Sequence, residues 1–287
     1  MIPTDNLDPQ NKLEIHLKVI QSQLTAIDLI AESTPLSRQK IKQAMQKGAV
    51  WLTSGKTTKR IRRATRQLNI GQILHLYYNA VILAQNPPEP ELVADEGDYS
   101  VWFKPHGMLT QGTKFGDHCA IYRWAELNLQ PQRPAFLVHR LDKATSGLML
   151  LAHSKTAAAK LSSLFSSREM HKFYKALVHG RPAGALPVTL DTPVEGKQAL
   201  TRILDIKSHA DKHFSLLDLQ ILTGRKHQIR QQLAIAGHAV VGDRLYGTGL
   251  RDKRDLCLVA YKLMFTSPFD QQQKLYQLDK NHYPSLD

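Results

Sequence analysis

The densest chemistry in this 287-residue chain lies in one stretch, His139-Arg140-Leu141-Asp142-Lys143-Ala144-Thr145-Ser146-Gly147. An imidazole, a guanidinium, a carboxylate, an ammonium and two hydroxyls are crowded between apolar runs at 135–138 and 148–152, each of which reads as a short buried strand. A connection between such strands is ordinarily small and bland, and loops held by rigid strands are where chemistry concentrates. Gly147 closes the stretch with backbone freedom that other residues lack. Two readings stand at this point. One is an exposed Arg140–Asp142 ion pair in an ordinary turn, a common and weak feature. The other is a carboxylate held beside a cation for work on a substrate.

A second cluster runs Thr223-Gly224-Arg225-Lys226-His227-Gln228-Ile229-Arg230, followed by Gly237-His238 and Gly242-Asp243-Arg244-Leu245-Tyr246-Gly247. A helix that opens after Gly224 presents free backbone N–H groups, and Arg225, Lys226 and Arg230 add positive charge nearby. Such a place suits phosphate. The plainer alternative is a polar helix start with solvated bases.

The charge balance narrows the partner. Lys and Arg number 38 against 25 Asp and Glu, a net charge of +13. A chain this basic is drawn to polyanions, of which nucleic acid is the commonest in the cytosol. The charge is also concentrated: between Ser37 and Arg66 lie Arg38, Lys40, Lys42, Lys47, Lys56, Lys59, Arg60, Arg62, Arg63 and Arg66, with no acidic residue among them. No apolar run approaches the roughly 20 residues that cross a bilayer. The first residues lack the basic start and apolar stretch of a signal peptide. A cytoplasmic protein with no membrane partner is expected. Cys119 and Cys257 lie too far apart for a disulfide framework or a zinc motif. The 13 histidines show no metallohydrolase spacing. These spacings give no reason to expect a metal.

The elements that must position these residues follow from periodicity. Residues 1–14 read as loose and polar. Leu17, Ile20, Leu24, Ile27 and Ile30 fall at helical intervals, and a second helix starts at an N-cap, Ser37, with Ile41, Ala44 and Met45 as its apolar face and Gly48 at its end. A strand at 49–52, a turn at Ser54-Gly55-Lys56, a basic strand or arm over 59–66 and a strand at 70–76 complete a small unit. Asn86-Pro87-Pro88-Glu89-Pro90-Glu91 reads as an extended linker without helix or ladder potential.

Beyond it, a strand at 99–103 runs into Lys104-Pro105-His106-Gly107, and Ser154 caps a helix that buries Ala157, Leu161 and Leu164. Strands follow at 173–178 and 217–221, then a helix carrying Ile229, Leu233 and Ala236 and stopped by Gly237, then a strand at 256–265. The fold class expected is α+β, a mixed and mainly antiparallel central sheet flanked by helices, with a small N-terminal α+β domain. The division expected is 1–14, 15–79, a linker over 80–94, and 95–287.

Taken together, the motifs between about residues 95 and 268 resemble the RluA-type pseudouridine synthases. They are Lys104-Pro105 with Gly107, His139-Arg140-Leu141-Asp142 with Thr145-Ser146-Gly147, Lys172-Phe173-Tyr174, and Gly224-Arg225 with His227-Gln228-Ile229-Arg230, then Gly237-His238 and Gly242-Asp243, in that family's order. The N-terminal part is similar to an S4 RNA-binding domain at Leu36-Ser37-Arg38, Lys47-Gly48-Ala49-Val50 and Leu68-Asn69-Ile70-Gly71. It departs from the S4 pattern at Ser54 and Gln72, and the larger part departs from its family at Val259. Asp117-His118-Cys119 finds no role.

The resemblance implies isomerisation of uridine to pseudouridine in RNA, with neither cofactor nor metal. It implies Asp142 as the catalytic aspartate, Tyr174 as the tyrosine that stacks on the base and is a candidate for proton transfer, and Arg230 as the aspartate's partner. It implies Arg140 as the residue that enters the RNA stack. His139, Arg225, Lys226, His227 and Lys104 are expected near RNA in the larger domain, and Arg38, Lys42, Lys59, Arg60, Arg62 and Arg63 in the smaller. Asp142 is open to two roles, nucleophile or base toward the sugar. Large-subunit ribosomal RNA is the favoured substrate, transfer RNA the second, and a monomer is expected. The competing function is a non-catalytic RNA-binding or ribosome-assembly factor that keeps the synthase fold.

Overall fold

Two sheets organise the chain. The computed structural model describes residues 12–208, 213–247 and 253–286. The described residues through Pro87, together with Gln111–Trp124, form one unit, and Pro88–Thr110 with the described residues from Ala125 onward form the other.

In the smaller unit, strand β1 (Lys12–Lys18) alternates in and out along its whole length, with Leu13, Ile15 and Leu17 turned toward the core. Helix α1 (Ala26–Ser33) starts at Thr25, whose hydroxyl accepts from the Asp28 N–H. Helix α2 (Arg38–Gln46) starts at Ser37, whose hydroxyl accepts from the Lys40 N–H. It ends at Gly48, whose φ of +84° is a left-handed turn that glycine adopts without strain. Strands β2 (Val50–Ser54), β3 (Thr57–Arg60) and β4 (Ile73–Asn79) and a short helix α3 (Ala80–Ala84) complete it. The sheet order is β1-β4-β2-β3, antiparallel throughout. Ile30, Ile41, Met45, Leu74 and Leu76 fill the space between helices and sheet.

The helical spacing read over 17–30 therefore holds only from residue 26. Residues 12–18 are a strand because their apolar side chains recur every second position and pair with β4 in full register, and Ile20, read as a core position, is exposed. Residues 12–14, expected to be loose, open that strand; the rest of that expectation, 1–11, lies outside the described residues. Residues 61–66 form no strand. Residues 80–94 are not a plain linker either. Asn79 caps α3 by accepting from the Ile82 N–H, and the extended stretch without regular structure is limited to 85–90.

The larger unit contains β5 (Glu91–Asp95), β6 (Tyr99–Lys104), α4 (Ile121–Asn128, whose first four residues belong to the smaller unit), β7 (Phe136–Leu137) and β8 (Ser146–Ala152). It continues with α5 (Lys155–Ser166), β9 (His171–His179), β10 (Val188–Leu190), β11 (Thr201–Ser208) and β12 (Phe214–Ile221). Helix α6 (Gln228–Ile235), β13 (Leu258–Thr266) and β14 (Gln273–Gln277) complete the named elements. The main path of the sheet is β10-β11-β12-β9-β13-β8-β6-β5, with β14 paired to β13 and β7 to β8. Every pairing is antiparallel except β13 with β8. This is the mixed, antiparallel-dominated α+β architecture expected.

Strand β8 is an unbroken apolar run, buried from Gly147 to Ala152; its Leu148 and Leu150 share one core cluster with Leu161 and Leu164 of α5. At its parallel crossing with β13, Gly147 lies opposite Ala260 at φ +127°. A Cβ there would fall 2.4 Å from the Ala260 carbonyl oxygen, so only glycine fits.

Candidate active site

The loop between β7 and β8 is fixed from below by side chains that leave its carboxylate free. Thr110 is buried, and its hydroxyl donates to the Leu141 carbonyl at 2.7 Å while accepting from the Leu141 N–H at 3.2 Å. Lys104 is fully buried at the end of β6. Its ammonium donates to the carbonyls of Pro105 at 3.1 Å, Met108 at 3.0 Å and Lys143 at 3.4 Å. Burial pulls its pKa down to about 7, and the charge of Asp142 works in the opposite direction. Three carbonyl oxygens around one nitrogen match the three donors of an ammonium and favour the charged form.

His139 stacks on Phe165 with ring centres 4.6 Å apart, and its Nε2 accepts from the Leu150 N–H at 2.9 Å. That bond places any proton of the neutral ring on Nδ1. Burial, then the nearby charge of Lys172, pulls its pKa down to about 3.

Asp142, at the middle of the loop, meets two groups from the start of α6. Arg230 Nη1 lies 3.4 Å from one carboxylate oxygen, and His227 Nε2 lies 3.6 Å from the other. The orientation of Arg230 is set from behind. Its Nε and Nη2 donate to the two oxygens of the buried Asp243 at 2.7 and 2.8 Å, a bidentate grip. That leaves Nη1 to face Asp142. Asp243 also accepts the N–H groups of Leu245 and Tyr246, which fixes the 242–247 turn. Hydrogen bonding and charge from Arg230 hold the Asp243 carboxyl below the usual range even though burial opposes this.

His227 reaches its place through a left-handed backbone, φ +55°, uncommon for a residue with a side chain. Its Nδ1 lies 3.0 Å from the Tyr246 hydroxyl, and burial lowers its pKa against the pull of Asp142. Gln228, buried beside it, donates to Leu200 O and Thr201 Oγ1 and accepts from Thr223 and the Arg225 N–H. Those four bonds pin the first turn of α6 to the sheet.

Tyr174 sits at the middle of β9, buried. Burial, then the charge of Asp142, raises its pKa, so it is a phenol at neutral pH. The cleft above it is lined by Arg140, Asp142, Thr145, Arg230 and Leu258, with the 224–229 segment along one side.

The structure thus brings Asp142, Tyr174, Arg230, Arg140, Arg225, Lys226 and His227 to one cleft. Lys104 and His139 lie beneath and behind the loop, with the Lys104 ammonium and the His139 Nε2 engaged by backbone. Both support the loop and offer RNA no free cation, which corrects the expectation for them. In the smaller unit Arg38 is exposed and pairs with Asp28 at 2.7 Å, while Lys42, Lys59 and Arg63 are exposed. Arg60 and Arg62 are corrections too. Arg62 donates to the buried Asp117 at 2.6 Å and to Gln46 O, and Arg60 lies 3.5 Å from the same carboxylate and donates to the carbonyls of Gly48 and Thr113.

Asp117, which the sequence left without a role, is the acid that consumes them; it also accepts from the Tyr122 hydroxyl at 2.6 Å. Asp243, Thr110 and Tyr246 were not among the expected site residues. Asp243 and Tyr246 had left a trace in the second cationic cluster, Asp243 as its one acid, and Thr110 had left none. Among the described residues no three metal-binding side chains gather as a metal site.

The family model described as RNA pseudouridylate synthase matches residues 98–235. An uncharacterized RNA pseudouridine synthase of Aquifex aeolicus is 31% identical over 289 aligned residues, spanning 85% of this chain and 86% of the relative. The chain belongs to the RNA pseudouridine synthase family. This synthase is also 30% identical over 204 residues to tRNA pseudouridine synthase C of Vibrio cholerae, across 59% of its own length and 82% of that protein. Among solved structures it is similar to human RNA pseudouridylate synthase domain containing 1, with a TM-score of 0.57 at 25% identity, covering 71% of this synthase and 89% of the human chain. It is an RNA-modifying isomerase, and the RluA-type resemblance read from its motifs stands. None of the helices among the described residues is long and apolar enough to cross a membrane.

Proposed function

We propose that this synthase isomerises specific uridines in structured RNA with Asp142 as its catalytic carboxylate. The observation that carries the reading is the meeting of Asp142 and Arg230 in a cleft floored by a buried tyrosine. The reaction exchanges an N1–C1′ bond for a C5–C1′ bond within one nucleoside, so no atom is gained or lost. The freed uracil must be held, turned and rejoined away from water. Asp142 acts on the sugar, as nucleophile or as base, and the guanidinium of Arg230 balances its charge. Tyr174, kept as a phenol, stacks on the base and is placed to pass a proton. Arg140, exposed on the rim, enters the RNA stack where the uridine leaves it. Its insertion offsets the few kcal/mol that unstacking costs.

The small unit supports this as an S4-like RNA-binding domain whose exposed Arg38, Lys42, Lys59 and Arg63 meet phosphates. Such a domain favours large-subunit ribosomal RNA as the substrate. The similarity to tRNA pseudouridine synthase C of Vibrio cholerae supports transfer RNA as the second reading. We place the enzyme in the cytoplasm as a monomer without a cofactor.

Asp142→Asn should lower turnover by more than about 10³-fold, beyond the loss of a single general acid or base in many enzymes, while folding and RNA affinity persist. Full turnover by the purified variant would overturn the proposal. Mapping pseudouridine in total RNA from cells with and without the gene identifies the target and separates an enzyme from a silent binder.

A further inference from the structure

The cleft that holds Asp142 continues past Tyr174 into a second one, and the two share Arg140, Tyr174 and Arg225 as walls. No carboxylate lines this second cleft. Lys172 stands two residues before Tyr174 on β9, so both side chains leave the same face of the strand. Its ammonium is half-buried over the Phe165 ring, 5.7 Å from the ring centre, and no ion pair or hydrogen bond holds it among the described residues. Arg168 joins it from the turn after α5, in a left-handed backbone at φ +66°. Arg225 commits its Nε to the Gln198 carbonyl and keeps its terminal nitrogens for the cleft. Burial lowers the pKa of Lys172, a penalty that an anion beside it would remove.

Several part-buried cations elsewhere pair with an acid: Arg60 and Arg62 with Asp117, Lys175 with Asp218, Arg230 with Asp243. Lys172 lacks such a partner, and it lies next to the pocket into which a nucleotide would swing. We propose that this cleft is a subsite for the phosphodiester adjoining the extruded uridine, gripped by Lys172 with Arg168 and Arg225. The assignment rests on the uridine-isomerising reading of the Asp142 cleft. A phosphodiester, tetrahedral and singly charged with its charge shared by two free oxygens, suits an ammonium flanked by two planar guanidinium groups, each of which can donate twice. Neutral His139 at the back wall adds shape without competing charge.

The test uses the full-length protein and the single-uridine pentamer AAUAA, with each linkage flanking the uridine replaced in turn by an uncharged methylphosphonate. Wild type should bind the all-phosphate pentamer about ten-fold more tightly at low salt than Lys172→Gln, the scale of one charged hydrogen bond. One of the two neutral linkages should weaken wild type to a similar degree and leave Lys172→Gln unchanged, and Lys172→Arg should restore binding. If both neutral linkages weaken wild type and Lys172→Gln equally, or if wild type does not bind the pentamer, the subsite is wrong. Pseudouridine formation by wild type in RNA from cells lacking the gene is measured in parallel. Its absence, with the linkage effect intact, removes the catalytic reading and leaves the subsite standing.

Discussion

Arg230 sits between two carboxylates of different character. Asp243 is buried and holds it by two short bonds; Asp142 faces the cleft and meets it by one long contact. Removing the first acid should therefore loosen the second contact. Asp243→Asn is expected to cost about 3 kcal/mol of stability, the range for breaking a buried ion pair. Turnover should fall about 10²-fold, as misplaced catalytic groups do, with RNA affinity kept. Urea unfolding, turnover and binding measured together check this.

His139 gives a pH dependence. Its folded pKa, about 3, lies below the ordinary imidazole value of about 6.5, so the unfolded chain takes up a proton that the folded chain refuses. Its contribution to stability is complete above about pH 6.5 and lost as pH falls from there toward 3. His139→Gln keeps an acceptor without a titrating ring. The decline of its unfolding free energy below pH 6 should be shallower than wild type by about 1 kcal/mol per pH unit. Equal slopes would show that the ring is not held neutral.

At this scale the sequence revealed the acid and its arginine through motif spacing. It could not distinguish a cation facing solvent from one facing a buried acid 55 residues away, which is why Arg60 and Arg62 read as phosphate contacts.

Among the elements, the loop from His139 to Gly147 is rigid because each flank is tied. Thr110 fixes the backbone on one side of Asp142, Lys104 gathers carbonyls beneath it, and Gly147 lets β13 pass within contact. Thr110→Val removes a donor and an acceptor from the buried Leu141 peptide. It should cost about 1–3 kcal/mol and lower kcat more than it raises KM. A Gly147→Ala variant is expected to lose more than that, because its Cβ meets backbone that has no room to move.

Strands with clear alternation, such as β12, and helices with marked caps, such as α2 and α5, were legible from sequence. The first strand was not. Leu17 belongs equally to a period of two with Leu13 and Ile15 and to a helical series with Ile20 and Leu24, and only pairing with β4 chooses between them. The α3 helix hid beside a proline-rich stretch whose breaking power ends a few residues away.

For the whole molecule, binding of a polyanion should weaken steeply with salt. The cations able to act on it in the small unit include the exposed Lys40, Lys42, Lys59 and Arg63. Neutralising all four should reduce the slope of log affinity against log salt by about 3, at roughly 0.7–0.9 per phosphate contact. Changing Arg60 and Arg62 instead should unfold the small unit at lower urea, since each loses a buried partner. An unchanged slope in the four-fold variant would make that face a solvated surface.

The small unit draws on two separate pieces of chain, one before residue 88 and one from Gln111 to Trp124. A gene shortened at codon 88 would leave Asp117 in the product and delete both of its guanidinium partners. The resulting protein would bear an orphaned acid and a bared inner surface, so any lost activity would report misfolding before it reported lost grip on RNA. Dissecting this enzyme calls for point charges altered in place.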